Sequence, residues 1–230
     1  MGAQQSDTLG APASSVTQSP GHPVTGASQP ALPPQATPFV GRQQELAELL
    51  RRLDDPDCRL LTIVGPGGIG KTRLALAAAQ SILELDSPAV GHLELNIPNP
   101  RFPDGVFFVS LQPVNSPSGM VAAIAETLGF RFYGGAPPQQ QLLDYLHEKQ
   151  ALLVLDNFEH LLAGAELLIE ILGGAPKGKI LVTSREALKL AEEWFHPLAG
   201  MRLPPASLVH AASAEADLSE RVGRITTFGA

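Results

Sequence analysis

Eight residues, Gly65-Pro66-Gly67-Gly68-Ile69-Gly70-Lys71-Thr72, constrain this chain more than any other stretch. They follow the apolar run Arg59 to Val64 and lead into Lys71 to Leu85, an Ala- and Leu-rich segment with helical spacing. A glycine-rich turn between a buried strand and a helix matches the phosphate-binding pattern G-x-x-x-x-G-K-[ST]. Glycines allow successive backbone N–H groups to turn inward around an anion, in conformations that side chains disfavour. The helix behind adds unpaired donors and a partial positive charge. The expectation is a site for the phosphates of ATP or ADP. Lys71 would reach the β- and γ-phosphates, and the Thr72 hydroxyl would ligate Mg²⁺. Gly65, Pro66, Gly67, Gly68, Ile69, Gly70, Lys71, Thr72 and Arg73 make up the expected nucleotide-binding run. A glycine turn of no function is the bland alternative, and the flanking strand and helix argue against it.

Strand-like and helical patterns alternate on both sides of this loop. Gln43 to Leu53 carries Leu46, Leu49, Leu50 and Leu53 at helical spacing. Val106 to Leu111, Ala151 to Leu155, Lys179 to Thr183 and Trp194 to Leu198 read as further strands. Helices are expected at Ser118 to Leu128, Pro137 to Lys149, Leu161 to Leu172 and in a short run from Arg185. Apolar strands alternating with helices predict an α/β fold, a P-loop NTPase three-layer sandwich whose parallel five-stranded sheet carries helices on both faces.

Composition sets the limits of the domain. With 22 glycines and 21 prolines in 230 residues, part of the chain is expected to stand outside the core. Residues 1–38 are rich in Pro, Ser, Gln and Ala, with Asp7 the only charged side chain, and are read as a disordered leader. The folded domain is placed at 39–205 and a weakly structured tail at 206–230. Residues 86–104 form a long, proline-bearing connection. A net charge of −7 without a Lys/Arg cluster argues against direct nucleic-acid binding by this segment. No run approaches the roughly 18 apolar residues of a membrane span, and no signal-peptide pattern opens the chain, so no membrane partner is expected. Cys58, the single cysteine, cannot form an internal disulfide, which suits a cytoplasmic address.

Two further stretches complete the expected site. Leu152-Leu153-Val154-Leu155-Asp156 puts a carboxylate at the carboxyl end of a strand, where ligands of parallel sheets bind, and Asp156 is the candidate for Mg²⁺. Many P-loop ATPases place an acid next, to orient the attacking water. Here the position is Asn157, which can hold a water but cannot take its proton. Glu159 is a possible substitute or a helix cap, and His160 is read as a first-turn helix residue. Ile180-Leu181-Val182-Thr183-Ser184-Arg185 brings a guanidinium to the same edge, suited to sensing a γ-phosphate. Lys71, Asp156, Arg185 and Asn157 form the candidate catalytic group.

In this order the segments resemble the STAND class of P-loop ATPases, and within it the NB-ARC-like nucleotide-binding domains of bacterial SARP- and LuxR-type transcriptional regulators. The likeness is carried by Phe39-Val40-Gly41-Arg42 with Glu45, Leu61 to Thr72, Val109-Ser110-Leu111, Leu152 to His160, Ile180 to Glu186, and Glu193-Trp194 with Pro197-Leu198. The resemblance implies that Val40, Gly41 and Arg42 lie near the adenine and ribose and that Arg185 is the sensor arginine. It implies an ADP-bound off state, and an ATP state that contacts other protein domains or self-associates. It also leads to the expectation of a chain truncated after the nucleotide-binding core. Two other readings stay open: a P-loop kinase or other phosphotransferase, and a nucleotide-binding remnant that does not hydrolyse.

Overall fold

The computed structural model describes residues 32–85 and 101–200. The elements in chain order are α1 (Gln43–Asp54), β1 (Leu60–Val64), α2 (Lys71–Leu85), β2 (Gly105–Ser110), α3 (Pro117–Thr127), α4 (Pro138–His147), β3 (Ala151–Asp156), α5 (Glu166–Gly174), β4 (Lys179–Ser184) and β5 (Glu193–Pro197). Of the expectations above, the greater part of the leader, residues 86–100 of the long connection and the tail from 206 lie outside the described residues.

The strands form one parallel sheet in the order β2-β3-β4-β1-β5. Alternate residues of each strand point to opposite faces. Leu61, Ile63, Leu152, Val154 and Leu181 pack in one cluster with Leu49 and Leu53 of α1 and Leu74, Ala78 and Ile82 of α2. Leu60, Leu153, Leu155, Ile180 and Val182 join the opposite cluster with Met120 and Ile124 of α3, Leu142 of α4, and Leu168 and Ile171 of α5. Both faces are covered, so the central strands read as continuous apolar runs, and β3 is buried at every position.

Register brings the functional ends together. Val64, the last residue of β1, pairs with Ser184, and Leu155 pairs with Val182. The turns after β1, β3 and β4 therefore leave the same edge of the sheet, with β1 and β3 on either side of β4. Crossing from β3 to its distant neighbour β1 through β4 is what places Asp156, Arg185 and the glycine loop within reach of one another.

Two helix expectations differ from the structure. Among the described residues no helix follows Arg185. The buried Glu193 carboxylate accepts the backbone N–H groups of Leu188 and Lys189, at 2.9 Å each, and Lys189 is left-handed with φ 63°. Those bonds turn the chain back onto the start of β5 and engage donors that a helix would have used. The helix expected from Leu161 begins only at Glu166. Before it stand two 3₁₀ turns, Phe158–His160 and Leu162–Gly164, closed by Leu161 N–H to Phe158 O at 2.8 Å and Gly164 N–H to Leu161 O at 2.8 Å. The tighter turns bury Phe158 and Leu161 while Gly164 passes under α3, where a Cβ would stand 2.9 Å from Pro117.

Glu193→Ala should leave two backbone donors without their acceptor. It is expected to lower the unfolding free energy by about 2 kcal/mol in urea denaturation, with Glu193→Gln costing less because one acceptor oxygen remains.

Candidate functional site

The loop between β1 and α2 has the geometry that its glycines predict. Gly68 and Gly70 are left-handed, with φ 74° and 98°, and a Cβ on either would meet open space. Their backbone shape, not crowding, is what requires glycine there. At Gly65 the reason is different. A Cβ would stand 2.7 Å from the Leu198 carbonyl oxygen, because the chain leaving β5 crosses directly over the start of the loop. Gly65 N–H donates to Ser184 O and Leu198 N–H to Val64 O, so the loop is stitched to strands on both sides. Pro66 and Gly67 are exposed, and Ile69 is half-buried against the core on the α1–α2 face.

The loop borders a cleft of about 290 Å³. Lys71, Thr72 and Arg73 lie on one side and Asn157, Glu159, Thr183 and Arg185 on the other. Lys71 is buried and its Nζ donates to the carbonyl oxygens of Gly65 at 2.8 Å and Pro66 at 3.0 Å. Burial lowers its pKa from the ordinary lysine value. Among neighbouring charges Glu159 opposes that shift, Arg185 adds to it and Asp156 opposes it.

Asp156 is the anchor of the opposite wall. Its Oδ1 accepts the Thr72 hydroxyl at 2.7 Å and the Thr183 hydroxyl at 2.6 Å. Thr183 also accepts the backbone N–H of Asn157 at 3.0 Å, which fixes the left-handed turn (φ 67°) that ends β3. Asn tolerates that conformation because its short amide can bond locally. The Thr72 hydroxyl and the Asp156 carboxylate are hard oxygen donors 2.7 Å apart. A hydroxyl and a carboxylate at that separation fit Mg²⁺, which prefers one or two protein oxygens alongside phosphates and water.

Arg185 lies across the mouth of the loop. Its Nε donates to Glu159 Oε1 at 2.7 Å, and its Cζ would stand 3.6 Å from a Cβ on Gly67. Of the residues expected near the adenine and ribose, Val40 is exposed, and Gly41 and Arg42 are both left-handed. The Arg42 guanidinium donates to the carbonyls of Ile69 at 2.9 Å and Ala199 at 3.1 Å, and so ties the phosphate loop to the chain beyond β5. Arg73 turns away from the loop to Thr37 and Pro38, where it donates to both carbonyl oxygens. His160, read from the sequence as a helix residue, sits in the first 3₁₀ turn, and its Nε2 meets the carbonyls of Leu111 and Val114 behind the cleft.

Thr183 is the residue that the sequence reading passed over. It stood there only as the end of a strand, yet it is buried and bonds both Asp156 and Asn157. The available signal was a hydroxyl closing an otherwise apolar strand, one position past the pairing of Leu155 with Val182. Thr183→Val keeps the shape and removes both bonds. It should cost about 1–3 kcal/mol of stability in urea denaturation, more than the same change at half-buried Thr72.

The chain is similar to several known proteins. A family described as "AAA domain" matches residues 46–189. A Mycobacterium tuberculosis protein named "Putative HTH-type transcriptional regulator" is 39% identical over 137 residues, which is 59% of this chain and 13% of that protein. An uncharacterized protein of the same organism is 34% identical over 179 residues, 76% of this chain and 39% of the relative. The chain thus spans well under half the length of either. Among solved structures, the ADP form of the Aeropyrum pernix ORC2 protein aligns with a TM-score of 0.48 and 19% identity, over 74% of this chain and 51% of that one.

Proposed function

The chain belongs to the AAA domain family, and from that premise we propose that it is an ATP- and ADP-binding switch that hydrolyses ATP slowly. The observation that carries the reading is the meeting of Lys71, Thr72, Asp156 and Arg185 around one loop with left-handed glycines at 68 and 70. In the reading, the loop N–H groups and the start of α2 surround the β-phosphate. Lys71 leaves its two loop carbonyls for the phosphates, and Arg185 reads the γ-phosphate. Thr72 and Asp156 would hold Mg²⁺, which when bound would neutralise phosphate charge.

Asn157 supports a slow rate. Its amide cannot accept a proton from water, so the residue directly after the magnesium aspartate supplies orientation without base strength. A protein that binds tightly and turns over slowly holds its ADP or ATP state long enough to signal with it. The same reading gives the ATP state contacts with other protein domains or with a second copy. It assigns the domain to a transcriptional regulator of the cytoplasm. The likeness to a mycobacterial protein named as such a regulator supports that assignment, over 59% of this chain. Among the described residues no helix is long and apolar enough to cross a membrane.

Titration of the full chain with a fluorescent ADP analogue should show saturable binding. Lys71→Ala should weaken it by about 10- to 100-fold, the loss of one charge-assisted contact to phosphate. Equal binding by the variant would sink the reading.

A further inference from the structure

His196 of β5 is 5% exposed, and both of its ring nitrogens are buried without a partner among the described residues. Its register partner in β1 is Ile63, so the ring lies on the α1–α2 face of the sheet. The charged groups near it are Arg52, Glu48 and Glu45, all carried by α1. Burial, and then Arg52, lowers its pKa from the ordinary histidine value against the pull of the two glutamates. A ring whose N–H finds no acceptor is costly to bury when neutral, and far more so as a cation. The strand that carries it is an edge. β5 pairs with β1 alone, and on its free side the Arg52 guanidinium donates to Phe195 O while Pro197 has no N–H. Just past His196 the chain covers the phosphate loop. Leu198 N–H donates to Val64 O at 2.7 Å, and its carbonyl oxygen lies against Gly65. Ala199 O accepts from Arg42, which also donates to Ile69 O within the loop. An edge segment held by few bonds opens locally without global unfolding. Its opening takes the cover from the loop and carries the ring into water.

We propose that His196 is an acid-released latch on the phosphate loop: a proton taken up when the end of β5 opens holds the segment off the loop, so bound ADP leaves faster as pH falls. The proposal rests on the ADP-binding reading above. In the closed segment the ring stays neutral, whereas in the opened one it titrates as an ordinary histidine, near pH 6.5. Well above that pH neither form is charged, and protons leave the balance between closed and open unchanged. Below it protons bind the opened form. The open population then rises by up to about tenfold per pH unit, until the closed ring itself titrates. Arg52 beside the ring opposes reclosure over a charged imidazole. The two anchors of the segment, Leu198 on Val64 and Arg42 on Ala199, do not titrate in this range, which leaves His196 as the proton-sensitive member.

The test uses the full chain as wild type, His196→Phe and His196→Gln. Neither replacement titrates; the first fills the buried space and the second keeps a polar group there. Release of a fluorescent ADP analogue, chased with unlabelled ADP, is timed at pH 7.5 and pH 5.5. Amide hydrogen exchange at Leu198 is followed at the same two pH values, each corrected for the exchange rate of unstructured peptide. From pH 7.5 to 5.5, release and Leu198 opening should both rise about 5- to 10-fold more in wild type than in the variants. A wild-type rise no larger than that of the variants would overturn the proposal. So would opening at Leu198 that quickens with acid while release does not. A wild type that binds the ADP analogue and releases it at one rate at both pH values overturns the proposal alone. Failure to bind it at either pH overturns the ADP-binding reading, and the proposal with it.

Discussion

A single oxygen, Oδ1 of Asp156, accepts hydroxyl hydrogen bonds from the first turn of α2 and from β4. Three segments that are far apart in sequence are fixed by it: the end of the glycine loop, the end of β3 and the end of β4. The strand order makes this possible, since β4 lies between β3 and β1 and all three run the same way. Hydrogen bonds to an ionised acceptor are about twice as strong as neutral ones, and here both donors come from side chains with short reach and few rotamers. The loop backbone is therefore presented in one arrangement before any anion arrives, which is the condition for backbone donors to bind phosphate without a large ordering cost.

Around that anchor the charges are held in reserve. Lys71 folds back onto two carbonyl oxygens of its own loop, and Arg185 is held by Glu159. Each cation is satisfied, though weakly enough that a phosphate would be a better partner. Binding and cleavage are separable in such a site. On the proposed reading the loop, Lys71 and the start of α2 would serve affinity, whereas the rate would depend on what stands opposite the γ-phosphate. There the chain carries an amide at Asn157 and a carboxylate one turn further on, at Glu159.

Much of this was legible in the sequence because it depends on local chemistry. A glycine loop between an apolar strand and a helix needs only a few neighbouring residues to be recognised, and four of the five strands declared themselves as apolar runs, β5 with its exposed Trp194 and Phe195 being the exception. The illegible parts depend on partners distant in the chain or on buried polar atoms. The helix expected after Arg185 yields to the buried Glu193 carboxylate, which captures two of its backbone donors. The helix start at Leu161 is displaced because Phe158 and Leu161 are drawn into the core and Gly164 lies against Pro117. Thr183 acquires its meaning only from register, which the sequence does not state. Arg42 shows the same limit. Its left-handed backbone and its reach to Ala199 tie the loop to the chain after β5 across a separation that no local pattern reveals.

On the proposed reading this loop recognises phosphates, and above all the β-phosphate. The most direct measurement is calorimetric titration of the chain with ADP and with AMP under identical magnesium and salt. If the loop surrounds the β-phosphate, ADP binds more tightly than AMP by about 100-fold or more, since AMP leaves the loop donors without their anion. Equal affinities for the two nucleotides would show that the loop is a structural turn and would contradict the account.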